Sequence, residues 1–142
     1  MTTESLIAAA RAAAAYAYAP YSRFAVGAAL RLEDGSIITG CNFENASYGL
    51  SLCAETVALA SANSAGRLAE VVEVAVIGGR MAPEGLADAG VVTPCGRCRQ
   101  MLNEVGHDLL IHCASVAGVV ASHQLSALLP HAFGPANLGE TA

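Results

Sequence analysis

Three cysteines and one glutamate are the residues of this chain whose types and spacing suggest a chemical site. Cys53 lies two residues before Glu55 in "CAE", and Cys95 and Cys98 lie further along in "PCGRC". Cysteines separated by two residues can bind one ion without strain, and a three-thiolate tetrahedral site suits zinc. A carboxylate beside such an ion could accept and return the protons of water. The spacing is compatible with a catalytic metal centre, a structural zinc site or a redox pair.

The fourth ligand distinguishes a catalytic zinc site from a structural one. Structural sites are closed by four protein ligands, whereas catalytic sites keep one position for water. Cys53 has no second cysteine or histidine at a ligand-pair spacing, which favours the catalytic alternative. A redox role for Cys95 and Cys98 alone leaves Cys53 and Glu55 without a function. A fourth ligand could still come from one of five other residues, namely Cys113, His107, His112, His123 and His131.

The composition limits the kinds of partner that this protein can have. A length of 142 residues fits one domain, residues 1–142, with one core. The hydrophobic fraction of 54% with only 13% charged residues predicts apolar surface that a second copy covers, and hence a homo-oligomer. A net charge of −5 and the lack of a basic run argue against a nucleic-acid polymer as partner. Small uncharged or cationic ligands remain open.

The first residues lack the features of a secretory signal. Glu4 stands where such a signal has positive charge, and Arg11 interrupts the apolar run. No stretch reaches the length of a membrane span. We therefore expect a cytoplasmic protein with no membrane partner. In that compartment the five cysteines serve metal binding or catalysis rather than disulfides.

Helices alternate with strands after an opening hairpin. The Asp34-Gly35 pair predicts the hairpin turn, and Gly66 predicts the end of the second helix. This order predicts an α/β layered domain with a mixed sheet. The elements are a helix from Thr3 to Tyr18, strands in "FAVGAALRL" and "SIITGCNF", a helix in "LSLCAETVALASANSAG", a strand in "VVEVAVIGG", a helix in "PCGRCRQMLNEVG", strands in "DLLIHC" and "GVVA", and a helix in "SHQLSALLPHAFG" capped by Ser122 or a neighbour.

These elements place the chemical residues at helix starts. Cys53 falls in the first turn of one helix, and Cys95 and Cys98 fall in the first turn of another. Helix N-termini carry unsatisfied N–H groups and partial positive charge, which lower thiol pKa values and favour metal binding. Because the two helices follow different strands, we expect their N-termini to meet at one edge of the sheet.

The motif pair resembles the zinc-dependent cytidine deaminase superfamily. The segments "YSRFAVGAAL", "GCNFENASYG", "PCGRCRQ" and "LLPHAFGP" further resemble the small homotetrameric cytidine deaminases that act on free nucleosides. The resemblance extends from about Pro20 to Pro135. It implies a three-layer α/β/α fold with a mixed sheet of roughly five strands. It also implies deamination of cytidine and 2′-deoxycytidine in pyrimidine salvage, one zinc ion per chain, and a homotetramer with active sites shared between subunits.

The resemblance assigns catalytic roles to individual residues. Glu55 would take the proton of the attacking water, pass it to N3 of the base and later protonate the departing amine. Many relatives have an arginine after this glutamate, where this chain has Thr56, which can donate a hydrogen bond to sulfur but brings no charge. Arg99, where the family also has arginine, or Arg97 would compensate the thiolates, although Arg97 is expected on a solvated helix face. The implied zinc ligands are Cys53, Cys95 and Cys98.

The resemblance also implies a set of substrate-binding residues. Asn42 and Glu44 would hold the sugar hydroxyls, because residues two apart lie on one face of an extended segment. Phe24 would pack against the base, and Ala54 would offer its backbone to the polar edge of the base. Three further residues would complete the pocket, two from a loop that reaches a neighbouring subunit and one from the C-terminal segment: Ala46, Tyr48 and Phe133.

Two other functions remain open from the sequence. Deaminases for a cytosine-bearing antibiotic such as blasticidin S resemble this chain at "CAE" and "PCGRCRQ", but their ribose region is less similar to "GCNFENASYG". A non-catalytic, zinc-stabilised interaction module would require a fourth protein ligand on the metal. A preference between ribo- and deoxyribonucleosides is left open, because neither Asn42 nor Glu44 need distinguish the 2′-hydroxyl.

Overall fold

The computed structural model describes residues 2–139, which form four α-helices and six β-strands. The helices are α1 Thr3–Ala14, α2 Ala54–Ser64, α3 Gly96–Asn103 and α4 Leu125–Leu128. The strands are β1 Phe24–Leu32, β2 Ile37–Cys41, β3 Val71–Ala82, β4 Gly85–Asp88, β5 Leu110–Ser115 and β6 Val120–Gln124. Within these residues, no helix has the length and apolar character needed to cross a membrane.

The strands form one mixed sheet in the order β2-β1-β3-β5-β6, and β4 pairs with β3. β3 and β5 run parallel, whereas the other paired strands are antiparallel. The predicted hairpin is confirmed, because β1 and β2 pair directly and Gly35 has a φ of 88° at the turn. Glycine adopts this left-handed conformation without a steric penalty.

Helices cover both faces of the sheet, so the predicted three-layer arrangement is confirmed. On one face α1 buries Leu6 and Ala10 against Ala29, Ala75 and Ile77 of β1 and β3. On the other face α2, α3 and α4 pack over the opposite side chains of the same strands. Because β1 and β3 are buried on both faces, their sequences are almost continuously apolar rather than alternating.

The first helix ends earlier than the sequence predicted. It stops at Ala14, and the expected last turn up to Tyr18 is wrong. The Tyr18 N–H donates to the Asn42 carbonyl at 3.0 Å, and the Tyr18 carbonyl accepts from the Glu44 N–H at 2.9 Å. This pairing uses the N–H and carbonyl groups of Tyr18, which a longer helix would need for its own hydrogen bonds. It also fixes residues 42–44 beside the start of β1.

Two other elements differ from the predicted pattern. Strand β4 was not predicted, because it is only four residues long and begins at Gly85, whose φ is 118°. The last helix is short, because Ser122 belongs to the edge strand β6 and Gln124 is the N-cap residue. Ser122 therefore does not cap a helix, and its hydroxyl lies 2.7 Å from Nδ1 of His112 on β5.

Gly40 allows β2 and α2 to approach closely, and α2 carries Glu55. A Cβ on Gly40 would lie 2.5 Å from the Ala58 nitrogen and 2.6 Å from the Ala54 carbonyl oxygen. We expect Gly40→Ala to lower the free energy of unfolding by about 1–3 kcal/mol, because the helix must move away from the sheet. Urea unfolding measures this change. Gly49→Ala is the control, because a Cβ there meets nothing within 4 Å. Equal stability of both variants would contradict the close packing.

Candidate metal centre and substrate cleft

Three thiols from two helix starts meet at one point of the structure. The Sγ atoms of Cys53, Cys95 and Cys98 all lie within 4.8 Å of one another. Cys53 is the N-cap residue of α2 and Cys95 is the N-cap residue of α3, so each lies one residue before its helix rather than inside the first turn. Cys98 lies in the first turn of α3, as predicted, and is buried.

The thiol cluster fits a tetrahedral zinc ion. The Cys53 and Cys95 sulfur atoms are 3.8 Å apart. Zn–S bonds of about 2.3 Å at tetrahedral angles require sulfur atoms roughly 3.8 Å apart, so the spacing already matches. Neither N-cap cysteine caps its own helix through a side-chain hydrogen bond. The sulfur atoms are therefore available to a metal next to the partial positive charge of two helix N-termini.

No fourth side chain completes the cluster among residues 2–139. His107 lies 2.7 Å from the Asn103 amide oxygen, and His112 lies 2.7 Å from both Glu73 and Ser122. Cys113 is buried, and this burial raises its pKa to about 11. Neither Cys113 nor any of the four histidines belongs to the cluster. Three protein ligands with one free position are the arrangement of catalytic rather than structural zinc sites.

The thiols influence one another before any metal is bound. Hydrogen bonding with Cys98 is the main cause that lowers the pKa of Cys53 to about 6, and the same interaction raises the pKa of Cys98. The Arg97 guanidinium adds a smaller lowering effect on the pKa of Cys53. Metal binding requires the thiolate form, so a lowered pKa at Cys53 favours metal capture.

The three residues expected to compensate the negative charge of the thiolates differ in what their side chains contact. The Thr56 hydroxyl lies 3.6 Å from the Cys98 sulfur, which agrees with the predicted contact. Arg97 is exposed, as expected, and its guanidinium lies 3.5 Å from the Ser51 carbonyl oxygen. All three side-chain hydrogen bonds of Arg99 go to oxygen atoms, those of Pro94, Leu128 and Thr93, rather than to sulfur.

Glu55 is a buried carboxyl group beside the thiols. Its exposed fraction is only 3%, and it lies two residues after Cys53 in the first turn of α2. Burial raises the pKa of Glu55 to about 7, and the neighbouring charge of Cys53 acts in the same direction. A carboxyl group with a pKa near neutrality can both accept and return a proton, which is what a general acid–base catalyst requires.

A cleft of about 280 Å³ opens over the thiols and Glu55. Asn42, Glu44 and Ala54, three of the residues expected to contact substrate, line it. Five lining residues were not predicted. Three of these five residues are apolar and two are polar. The apolar residues are Val26, Leu52 and Val92, and the polar residues are Ser51 and Thr93.

The predicted sugar-binding residues also hold the cleft wall. The Asn42 amide accepts from the Val26 N–H at 2.9 Å and donates to the Phe24 carbonyl at 2.8 Å. Oε1 of Glu44 accepts from the N–H groups of Tyr21 and Ser22. Hydrogen bonds, chiefly from Ser22, hold the pKa of Glu44 below its ordinary value, so this carboxylate stays charged. Both side chains therefore fix the segment that leads into β1.

Four predicted substrate residues do not line the cleft of this chain, as far as residues 2–139 are concerned. The Phe24 ring lies near Val26 and Val92, because atoms of all three side chains surround the position that a Cβ on Gly78 would take. The Tyr48 side chain is 71% exposed and that of Phe133 is 60% exposed. The residues outside the cleft lining are Phe24, Ala46, Tyr48 and Phe133.

Simple sequence signals could have identified several of the missed wall residues. Val26 lies two positions after Phe24 on β1, so strand alternation places both on one face. Leu52 and Thr93 directly precede segments that carry metal ligands, and short chain connections bring such neighbours to the site. Val92 has no comparable signal, because its position depends on a distant part of the chain. Its N–H donates to the Ala114 carbonyl at the end of β5.

Comparisons with known proteins show which proteins this chain resembles. The family described as "Cytidine and deoxycytidylate deaminase zinc-binding region" matches residues 1–114. A cytidine deaminase of Mycobacterium tuberculosis is 46% identical over 124 residues, which cover 86% of this chain and 82% of the relative. A cytidine deaminase of Halalkalibacterium halodurans is 47% identical over 118 residues, covering 82% and 83%. The crystal structure of a cytidine deaminase from Burkholderia pseudomallei superposes with a TM-score of 0.84 at 47% identity, covering 94% of this chain and 100% of that chain.

Proposed function

The chain belongs to the cytidine and deoxycytidylate deaminase family, and from that premise we propose that it hydrolyses cytidine and 2′-deoxycytidine to uridine and 2′-deoxyuridine, releasing ammonia. The observation that carries this proposal is a cluster of three thiols beside a cleft that two of them, Cys53 and Cys95, line together with the buried carboxyl group of Glu55. The relatives named above, which cover most of the chain, are called cytidine deaminases.

We propose Cys53, Cys95 and Cys98 as the ligands of one zinc ion per chain. When bound, zinc supplies the Lewis acidity that makes water a nucleophile at neutral pH. Glu55 would take one proton of that water and deliver it to N3 of the base. It would then take the second proton from the hydroxyl group now on C4 and give it to the departing amine, which leaves as ammonia. Its pKa near neutrality suits both directions of transfer.

The cleft walls orient the nucleoside in this proposal. Val26, Leu52 and Val92 form an apolar slot that matches the faces of a pyrimidine ring and excludes water from it. Ala54, at the first position of α2, offers its backbone to the polar edge of the base. The sugar lies towards Glu44, whose Oε1 is already occupied by two N–H groups, so that Oε2 remains to accept from a ribose hydroxyl.

Glu44→Gln tests the proposed sugar contact. The glutamine oxygen can still accept from Tyr21 and Ser22, but the charged acceptor for the ribose is lost. Hydrogen bonds to charged groups contribute about 1.5–3 kcal/mol, so kcat/KM for cytidine is expected to fall by about 10–100-fold, mainly through KM. Steady-state kinetics measure the change, and Glu33→Gln in the exposed β1–β2 turn is the control. An unchanged kcat/KM for Glu44→Gln would remove this role.

Shared sites in a homotetramer complete the proposal. Tyr48 and Phe133 are exposed and lie outside the cleft of their own chain, which supports a role for them, with Ala46, at a neighbouring subunit's cleft. Exposed aromatic side chains of this size favour coverage by another chain. We further infer a single deaminase domain over residues 1–142 that acts in cytoplasmic pyrimidine salvage. The proposed use of Cys53, Cys95 and Cys98 as metal ligands supports a reducing compartment.

Comparing substrates separates this function from its rivals. Turnover of cytidine, 2′-deoxycytidine and blasticidin S is followed by ultraviolet absorbance with zinc-loaded protein. The proposal predicts rapid turnover of either nucleoside and little turnover of the antibiotic. Preferred turnover of blasticidin S would identify an antibiotic deaminase. No absorbance change with any substrate, with zinc bound, would favour a non-catalytic zinc-stabilised module.

A further inference from the structure

Arg99 connects two separate segments of the chain through its guanidinium group. Nε donates to the Pro94 carbonyl at 2.7 Å, and Nη2 donates to the Thr93 hydroxyl at 3.3 Å. On the other side, Nη1 donates to the Leu128 carbonyl at the end of α4, at 2.9 Å. All three nitrogen atoms of the side chain are therefore engaged with oxygen atoms.

The first of these segments leads directly into the metal centre. Thr93 and Cys95 both line the substrate cleft, and Pro94 between them is buried. Cys95 is a proposed zinc ligand. Two of the three Arg99 hydrogen bonds thus hold the residues that immediately precede this ligand and that form part of the cleft wall.

The second segment is anchored in the core. Leu125 of α4 has no exposed surface and packs in the same hydrophobic cluster as Leu102 of α3. The Leu128 carbonyl is therefore a fixed point, and a rigid link to it restricts the movement of Thr93 and Pro94. A planar guanidinium with donors in a fixed fork can form such a link, whereas the single ammonium of lysine cannot.

Neighbouring side chains of α3 make the same kind of contact. Gln100 donates to the Phe133 carbonyl at 2.8 Å, and Asn103 donates to the same oxygen at 3.3 Å. The helix that bears Cys98 is thus tied to the C-terminal segment by hydrogen bonds from three of its side chains. This repetition indicates that the C-terminal segment supports α3 as a unit.

We propose that Arg99 is a positioning residue that sets the Thr93–Cys95 segment against α4 through hydrogen-bond geometry rather than through its charge. The Cys95 thiolate and the cleft wall at Thr93 are then in place before metal and nucleoside arrive. Groups outside the ligand set that orient ligands in this way contribute about 10–100-fold to metal affinity or activity. The inference rests on the proposed zinc-dependent deamination.

The test compares Arg99→Lys, which keeps the charge and loses the fork, with Arg99→Gln, which loses both. Zinc release to a chromophoric chelator, kcat and KM are measured for each variant, with the exposed Arg80→Lys as control. Both Arg99 variants are expected to release zinc about 10–100-fold faster than wild type and to lose kcat, while Arg80→Lys does neither. A third variant, Arg99→Ala, removes the whole guanidinium group. Guanidinium ions at concentrations far below denaturing, but not ammonium ions, are expected to restore part of its kcat.

A different pattern would overturn the proposal. If Arg99→Lys behaves as wild type while Arg99→Gln loses zinc, charge is the property that matters. If neither variant changes zinc release or kcat, Arg99 positions nothing. Should the Arg99 variants fail to fold, Thr93→Val removes one acceptor and leaves Arg99 intact. Several-fold faster zinc release by Thr93→Val would support the link, and unchanged release would overturn it.

The outcome also distinguishes this inference from the proposed function. Wild-type protein that binds no zinc or converts no cytidine would overturn the deaminase proposal itself. Wild-type protein that does both, together with an Arg99→Lys variant that matches it in zinc release and kcat, would overturn only the role of Arg99.

Discussion

Glu55→Gln is expected to keep one zinc ion per chain and to lose almost all turnover of cytidine. The substitution preserves the size of the buried side chain but removes the group that accepts and returns protons. General acid–base catalysis contributes about 10²–10⁴-fold, and Glu55 is proposed to act in more than one proton transfer, so the loss in kcat should reach at least the upper part of this range. Cytidine absorbance gives kcat, and metal analysis gives zinc per chain.

The control for this variant is Glu84→Gln in the exposed turn between β3 and β4, which makes the same replacement at a residue that does not line the cleft. It should retain wild-type kcat and zinc content. Near-normal turnover by Glu55→Gln would disprove the proton-transfer role. Loss of zinc from Glu55→Gln would show instead that the carboxyl group serves mainly to maintain the metal site.

Cys98→Ala is expected to lose zinc and activity together. Cys98 is buried and has the Thr56 hydroxyl at 3.6 Å, so its removal leaves two thiols and a cavity that no other ligand fills. Structural sites with four ligands bind zinc with apparent free energies of about 10–16 kcal/mol. One ligand therefore represents roughly 2.5–4 kcal/mol, so the zinc affinity should fall by about 10²–10³-fold. Competition with a chelator measures this affinity.

Cys113→Ala provides a matched control, because Cys113 is an equally buried thiol on β5 outside the thiol cluster. Its removal should cost some stability through a lost core contact, while zinc binding and kcat persist. The assignment of the ligands would be wrong if Cys98→Ala kept wild-type zinc affinity. It would also be wrong if Cys113→Ala lost the metal.

The sequence was sufficient to predict that Cys53, Cys95 and Cys98 meet, because these residues lie at positions with strong local signals. Cys53 and Cys95 directly precede helices whose starts are visible in the sequence, and Glu55 follows from its spacing to Cys53. The β1–β2 hairpin was predictable because Asp34-Gly35 specifies its turn. Such features depend on a few neighbouring residues and not on the packing of distant ones.

Features that depend on distant parts of the chain were not predictable in the same way. The α1 helix ends early because Tyr18 pairs with residues 42–44, and no local signal marks that pairing. Asn42 was predicted to bind sugar, and its spacing gave no indication that its side-chain amide bonds to Phe24 and Val26 of β1. Arg99 was expected to face thiolates because of its charge, whereas its three side-chain hydrogen bonds depend on where α4 lies.

Zinc K-edge X-ray absorption of the wild-type protein tests the central claim most directly. That claim is a metal site made of Cys53, Cys95 and Cys98 with one position left for solvent. The spectrum should show three sulfur neighbours at about 2.3 Å and one lighter atom at a shorter distance, without the multiple scattering of an imidazole ring. Four sulfur neighbours, or a histidine in the fourth position, would contradict the account.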